Sequence, residues 1–239
     1  FYENTYFGNY AFGADGMLYA IRSYYYENYA AEEYTSVQKN YVDCWNLDGS
    51  LVWETEVEGL NSEEEYLYVT AMAVTTDGNV TLLLAGDNAY KMSVDSQGNL
   101  SERKPMSDDA AKMFENGPSF MAKNDGTFLV TYYDDQDWSK QYIATYDPNT
   151  DALGQPSQLP ASMTWDGYNT MNAGISSDLI YSNNKGVFTY KVGDPESKEK
   201  MNFINSDMNI SDFNSLIELT DSSFIGIFRE NYGEDVQAG

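Results

Sequence analysis

Val69-Thr-Ala-Met-Ala-Val-Thr-Thr-Asp-Gly-Asn-Val-Thr-Leu-Leu-Leu-Ala-Gly-Asp87 reads as two strands joined at Thr76-Asp77-Gly78-Asn79. Asp and Gly accept the positive φ angles of a tight hairpin turn, and Val, Thr and Leu on either side favour the pleated conformation. The same kind of turn recurs at Ala14-Asp15-Gly16, Asn124-Asp125-Gly126, Ser176-Ser177-Asp178 and Thr220-Asp221-Ser222. With Gly78 included, the third residues of these turns are separated by 62, 48, 52 and 44 positions. A second set lies between them, at Leu47-Asp48-Gly49, Ser96-Gln97-Gly98, Asn149-Thr150-Asp151 and Val192-Gly193-Asp194. Two turns per repeat imply four short strands in roughly 45 residues, which is the period of a propeller blade.

Working outward from the quoted hairpin, the first repeat is expected at 6–14, 17–25, 38–46 and 50–56, and the second at 68–75, 79–85, 89–94 and 99–104. The third is expected at 119–123, 127–133 and 141–146 with a weak outer strand near 152–158. The fourth is expected at 170–176, 179–183, 186–192 and about 200–205. A fifth offers only 215–219 and 223–229. The fold class is therefore all-β, a β-propeller of about five four-stranded repeats with the last incomplete. The chain reads as one domain over 1–239, a fragment of a longer protein, and Phe1–Tyr6 could pair beside the last repeat. In Phe128-Leu-Val-Thr-Tyr132, Phe128, Val130 and Tyr132 share one face while the other is partly apolar, as a sheet sandwiched between sheets requires. Ser107-Asp-Asp-Ala-Ala-Lys-Met-Phe-Glu-Asn116 carries a capping serine, acids in the first turn and a Gly117-Pro118 stop, and predicts a short helix.

The formal charge is −25, from 38 acidic and 13 basic residues. Such a field repels phosphate backbones and anionic membrane surfaces, which argues against nucleic acid as a partner. No apolar run approaches the ~20 residues of a membrane-spanning helix. The single cysteine, Cys44, excludes an intrachain disulfide, and the absence of histidine removes the commonest general base and metal ligand. Low lysine and a surface rich in Asn, Asp, Ser, Thr and Tyr fit an exported, extracellular or cell-surface protein.

Short Asp-Gly turns would occupy one end of the sheets and the long connections the other. Those connections are expected at 23–40, 59–66, 105–117, 132–141, 159–168 and 205–213, and ligand sites favour long loops held on a rigid scaffold. The loops combine aromatics with acids: Tyr24, Tyr26 and Tyr29 in the first, Tyr133 and Trp138 in the fourth, Trp165 and Tyr168 in the fifth. Flat rings beside carboxylates suit sugars, whose C–H faces stack while their hydroxyls donate hydrogen bonds. These seven residues are the candidate ligand site, for a carbohydrate or small solute. Asp134, Asp135 and Asp137 are candidate oxygen ligands for Ca²⁺, although they do not match a calcium-loop pattern. No cofactor is otherwise implied. A glycosidase would need two facing carboxylates ~5–10 Å apart, and the inner strands, such as Ala71-Met-Ala-Val74, are almost free of acids. The expected function is thus a non-catalytic extracellular binding module. The alternatives are a secreted carbohydrate-active enzyme and a structural platform for a partner protein.

Asp48-Gly49-Ser-Leu-Val-Trp53-Glu resembles the Gly-x-x-x-Trp strand ending of quinoprotein-type propellers. The Tyr-rich, acidic, histidine-free repeats with turns such as Asn46-Leu-Asp-Gly49 resemble the propeller-like N-terminal regions that precede solute-binding domains in surface lipoproteins of Gram-positive gut bacteria. That resemblance implies a surface lipoprotein whose C-terminal solute-binding domain captures a solute for import. It carries over no site residue.

Overall fold

The computed structural model describes residues 2–29, 35–60, 65–163, 170–174, 178–183, 186–200, 210–218 and 224–230. The chain is all-β and has the fold class of a β-propeller, with strands following one another in antiparallel sheets ordered along the sequence. The first sheet contains β1 (Tyr2–Phe12), β2 (Leu18–Asn28), β3 (Thr35–Trp45) and β4 (Leu51–Glu56). The second contains β5 (Leu67–Val74), β6 (Val80–Gly86), β7 (Tyr90–Val94) and β8 (Lys104–Pro105). A third holds β9 (Ser119–Ala122), β10 (Phe128–Tyr133), β11 (Gln141–Asp147) and an outer strand broken into β12 (Ala152–Leu153) and β13 (Ser157–Gln158). The fourth is β14 (Thr170–Ala173), β15 (Leu179–Asn183), β16 (Gly186–Lys191) and β17 (Asp194–Lys200), and β18 (Ile210–Glu218) pairs with β19 (Phe224–Glu230).

The opening stretch folds as β5 and β6, with Val74 opposite Val80 and Gly78 at φ 78°. Thr75 and Asp77 tie the turn together: the Thr75 hydroxyl donates to the Asp77 carboxylate, and Asn79 Nδ2 donates to Asp77 Oδ2 at 2.8 Å. The expected helix also forms. Ser107 caps α1 (Asp108–Ala111) by accepting the Ala110 N–H, and the chain continues as a 3-10 turn over Lys112–Asn116.

Three expectations are corrected. The first long connection is not a loop from Ser23 to Asn40. β2 and β3 continue pairing out to Asn28 opposite Thr35, because the Tyr-rich and Thr/Val-containing ends are themselves good strand formers. Tyr2–Tyr6 is not a separate segment ahead of the first repeat: it belongs to β1 and pairs with β2, Tyr2 lying opposite Glu27. The outer strand of the fourth repeat is Asp194–Lys200, entered directly from the Gly193 turn. A proline at 195 is tolerated there because β17 is, among the described residues, the edge strand of its sheet.

The contacts divide into two compact units, one of 1–115, 122–128 and 146–153, the other of 116–121, 129–145 and 154–239. In the first, Tyr19, Ile21, Val42 and Cys44 on one face of the first sheet pack against Met72, Val74, Leu82 and Leu84 of the second. In the other, Met121, Leu129 and Ile143 pack against Leu179, Tyr181, Phe188 and Tyr190. Both clusters follow the period-2 alternation of their strands, and Cys44 is a free, buried member of the first. Among the described residues no helix is long and apolar enough to cross a membrane.

Candidate functional site

The β10–β11 connection is a short loop held almost entirely by its own carboxylates. Asp134 N–H donates to the Lys140 carbonyl (3.1 Å), closing the hairpin. Asp134 Oδ1 accepts the N–H groups of Gln136 (2.9 Å) and Asp137 (3.0 Å), while its Oδ2 accepts the Tyr142 hydroxyl (3.2 Å). Asp137 Oδ1 in turn accepts the Ser139 N–H (3.1 Å) and hydroxyl (2.6 Å), and its Oδ2 meets Lys140 Nζ at 3.1 Å. These are the side-chain-to-backbone turns for which Asp is selected in loops. The consequence for acidity is uniform. The N–H of Gln136 holds Asp134 below the usual carboxylate range, and the Ser139 hydroxyl does the same for Asp137.

What the loop presents is Trp138. Its ring stacks on Tyr133, centroids 5.6 Å apart and planes 25° from parallel, yet the residue remains 66% exposed. Tyr132, next to Tyr133 on β10, stacks on Tyr142 (6.0 Å, 29°). Thr131 and Gln141 are buried at the adjoining strand ends, and Thr131 Oγ1 and Gln141 Oε1 find no partner among the described residues. Buried polar groups of this kind are normally completed by an ordered water.

The sequence-derived candidates separate on the structure. Tyr133 and Trp138 come together. Tyr24 and Tyr26 lie on β2, not in a loop, and face the same side as Arg22. Burial and then Glu3 push the Tyr24 hydroxyl to a higher pKa. On the opposite side of β2, Glu27 accepts the hydroxyls of both Tyr25 and Tyr29, so Tyr29 does not join Tyr24 and Tyr26. Trp165 and Tyr168 lie outside the described residues. Asp134 and Asp137 are engaged with backbone amides, hydroxyls and Lys140. Among the described residues no three acids or cysteines are gathered as metal ligands.

A second feature escaped sequence reasoning. The side of the first sheet turned away from the second sheet carries Tyr10, Phe12, Leu18 and Trp45, joined by Phe7 and Leu47 around a shallow groove of about 660 Å³. Tyr10 and Leu47 are each 73% exposed. Further along the same side Arg22 Nε pairs with fully buried Asp43 at 2.6 Å, also meets Glu54, and stacks over Tyr41 at 4.3 Å. The alternation Tyr10-x-Phe12 was visible, but an exposed sheet face reads like a buried one until its neighbours are known.

No family model and no curated protein matches the chain. Two solved structures are similar at the level of overall trace. A protein of unknown function from Bacteroides caccae matches over 91% of this chain and 68% of its own, at 12% identity and a TM-score of 0.46. The β-propeller domain of the trilobed protease from Pyrococcus furiosus, described as having an open velcro topology, matches over 95% of this chain and 80% of its own, at 12% identity and a TM-score of 0.45. Likenesses this distant say nothing of function.

Proposed function

We propose that the chain is a non-catalytic, exported propeller module that binds carbohydrate at the β10–β11 loop. The observation that carries this reading is Trp138: a large indole left two-thirds exposed, backed by Tyr133, on a loop whose backbone is fixed by Asp134 and Asp137. An aromatic face fixed in advance loses little conformational freedom when a sugar stacks on it. The neighbouring acceptors Asp135 and Gln136 suit sugar hydroxyls. Among the described residues the carboxylates with shifted acidity, including Asp77, Asp95, Asp134, Asp137 and Asp151, are shifted downward, whereas a general acid must be held protonated. In this reading the module serves solute capture at the cell surface, in series with a C-terminal solute-binding domain.

Titrating neutral oligosaccharides while following tryptophan fluorescence tests the proposal. Saturable quenching is expected in the native protein, and Trp138→Ala should weaken binding roughly five- to thirtyfold, the loss of one stacking ring being about 1–2 kcal/mol. Quenching that survives in Trp138→Ala, or none with any sugar, defeats it. Binding should also depend on pH in one direction. Because Asp134 and Asp137 are depressed, the loop keeps its ties throughout the range above the ordinary carboxylate pKa of ~3.9 and loses them as pH falls below it.

The open groove of the first sheet favours a second reading, a platform for a partner protein, since exposed apolar patches of this kind mark interaction surfaces. A hydrophobic dye such as ANS is expected to fluoresce on the native protein. In Phe12→Ser/Leu47→Ser the enhancement should fall by half or more without a change in melting temperature; unchanged enhancement removes this support.

A further inference from the structure

We infer a small-oxyanion site in the second sheet, in a crevice of about 250 Å³ lined by Lys91, Lys104, Ser93, Thr81 and Asn149. Its starting point is the register. Lys91 and Lys104 are direct cross-strand partners on β7 and β8, and like charges directly opposite each other destabilise a sheet. Only 13 residues of the chain are basic against 38 acidic, so two lysines placed face to face are costly and, in this composition, exceptional.

The first lysine is accounted for. Lys91 Nζ donates to the Pro148 carbonyl at 2.6 Å and lies 3.3 Å from Asp151 Oδ1. The second is not: Lys104 is exposed on the edge strand and has no acid within ion-pair distance among the described residues. Glu102 lines the same crevice two residues away without pairing with it. Thr81 lies opposite Ser93 in the β6–β7 register, so both hydroxyls point to the same side of the sheet as Lys91. Ser101 Oγ is occupied, accepting the Ser93 N–H at 2.8 Å and donating to the Glu102 carbonyl. The crevice therefore offers one uncommitted ammonium and several neutral donors around a volume large enough for a carboxylate or phosphate group. It is too small, and the protein too negative, for a polyanion. This inference is independent of the sugar reading at Trp138.

The test is amide chemical-shift titration of the whole chain at pH 7 and low ionic strength, with inorganic phosphate in one arm, glucuronate in another and chloride as control. Saturable shifts centred on Ser93, Ser101 and Asn149 are expected with at least one oxyanion and not with chloride; which arm responds identifies phosphate or a carboxylate as the source. Lys104→Met, at an exposed position whose loss relieves the like-charge pair and so does not lower the melting temperature, should weaken binding at least tenfold. Glu102→Gln should tighten it several-fold. No saturable shift in either arm, or equal binding by Lys104→Met, overturns the site.

Discussion

Gly78→Ala should destabilise the protein by about 3 kcal/mol, roughly three times the cost of the same change at Gly49, because only the first meets a neighbouring sheet. Both glycines sit at positive φ, 78° and 86°, where any L-residue is strained. Around Gly49 an added Cβ meets nothing within 4 Å. Around Gly78 it would lie 2.8 Å from the Tyr19 hydroxyl and 2.9 Å from Asp15 Oδ2. Tyr19 cannot withdraw easily. Tyr19 is buried, packs against Trp53 with centroids 6.0 Å apart, and donates to Asp15 at 2.7 Å, and its hydroxyl is held strongly toward the protonated form by burial and that bond. The second repeat's turn is thus fitted to the first repeat's β2. Equilibrium denaturant unfolding measures the difference. In Tyr19→Phe, which removes the obstructing oxygen, the extra cost of Gly78→Ala should shrink toward that at Gly49; a cost unchanged in the Tyr19→Phe background would show that backbone strain alone is responsible.

Asp151→Ala is expected to cost a similar amount, about 3 kcal/mol, since it removes at once the partner of the buried Tyr146 hydroxyl, of the largely covered Lys91 ammonium and of the Ser107 N–H. Asp151 Oδ2 accepts the Ser107 N–H at 2.7 Å, and its Oδ1 accepts the hydroxyl of fully buried Tyr146 at 2.7 Å and faces Lys91 at 3.3 Å. One carboxylate so joins the turn after β11, the entry to α1 and the third strand of the second sheet. It also holds a positive φ of 56° as a non-glycine residue, a conformation kept only where such contacts impose it. Burial by itself would raise the Asp151 pKa, but the bonds from Tyr146 and Ser107 and the charge of Lys91 outweigh it, and the net shift is downward. The sign follows: a carboxyl with a depressed folded pKa contributes stability fully above its unfolded value of ~3.9 and loses it as pH falls through the folded one. The gap between the native protein and Asp151→Ala should therefore be full at pH 7 and close progressively below pH ~4. A gap that persists in strong acid would contradict the assignment.

What was legible in the sequence and what was not divides along physical lines. The turns at Asp77-Gly78, Asp48-Gly49 and Asp125-Gly126 were readable because backbone conformation at a tight turn is dictated by the residues in it. Their spacing then yielded the sheets and the fold class. The outer strand Asp194–Lys200 was misplaced because an exposed edge strand of sequence DPESKEK has no apolar alternation to betray it. The extended β2–β3 ribbon was mistaken for a loop because its Tyr, Glu and Asn residues suit either state until cross-strand pairing decides. At the candidate site, sequence proximity brought Tyr133 and Trp138 together. It could not tell that Asp134 and Asp137 would be engaged in fixing the loop. The groove around Phe12 and the Lys91–Lys104 pair depend on facing and register, which no single strand discloses.

Hydrogen–deuterium exchange of the native protein with and without a bound oligosaccharide bears most directly on where function resides. Protection confined to 133–141, the loop carrying Trp138, is the expected result. Protection centred instead on the tight turns at 46–50, 75–79 or 95–99, at the other end of their sheets, would contradict it.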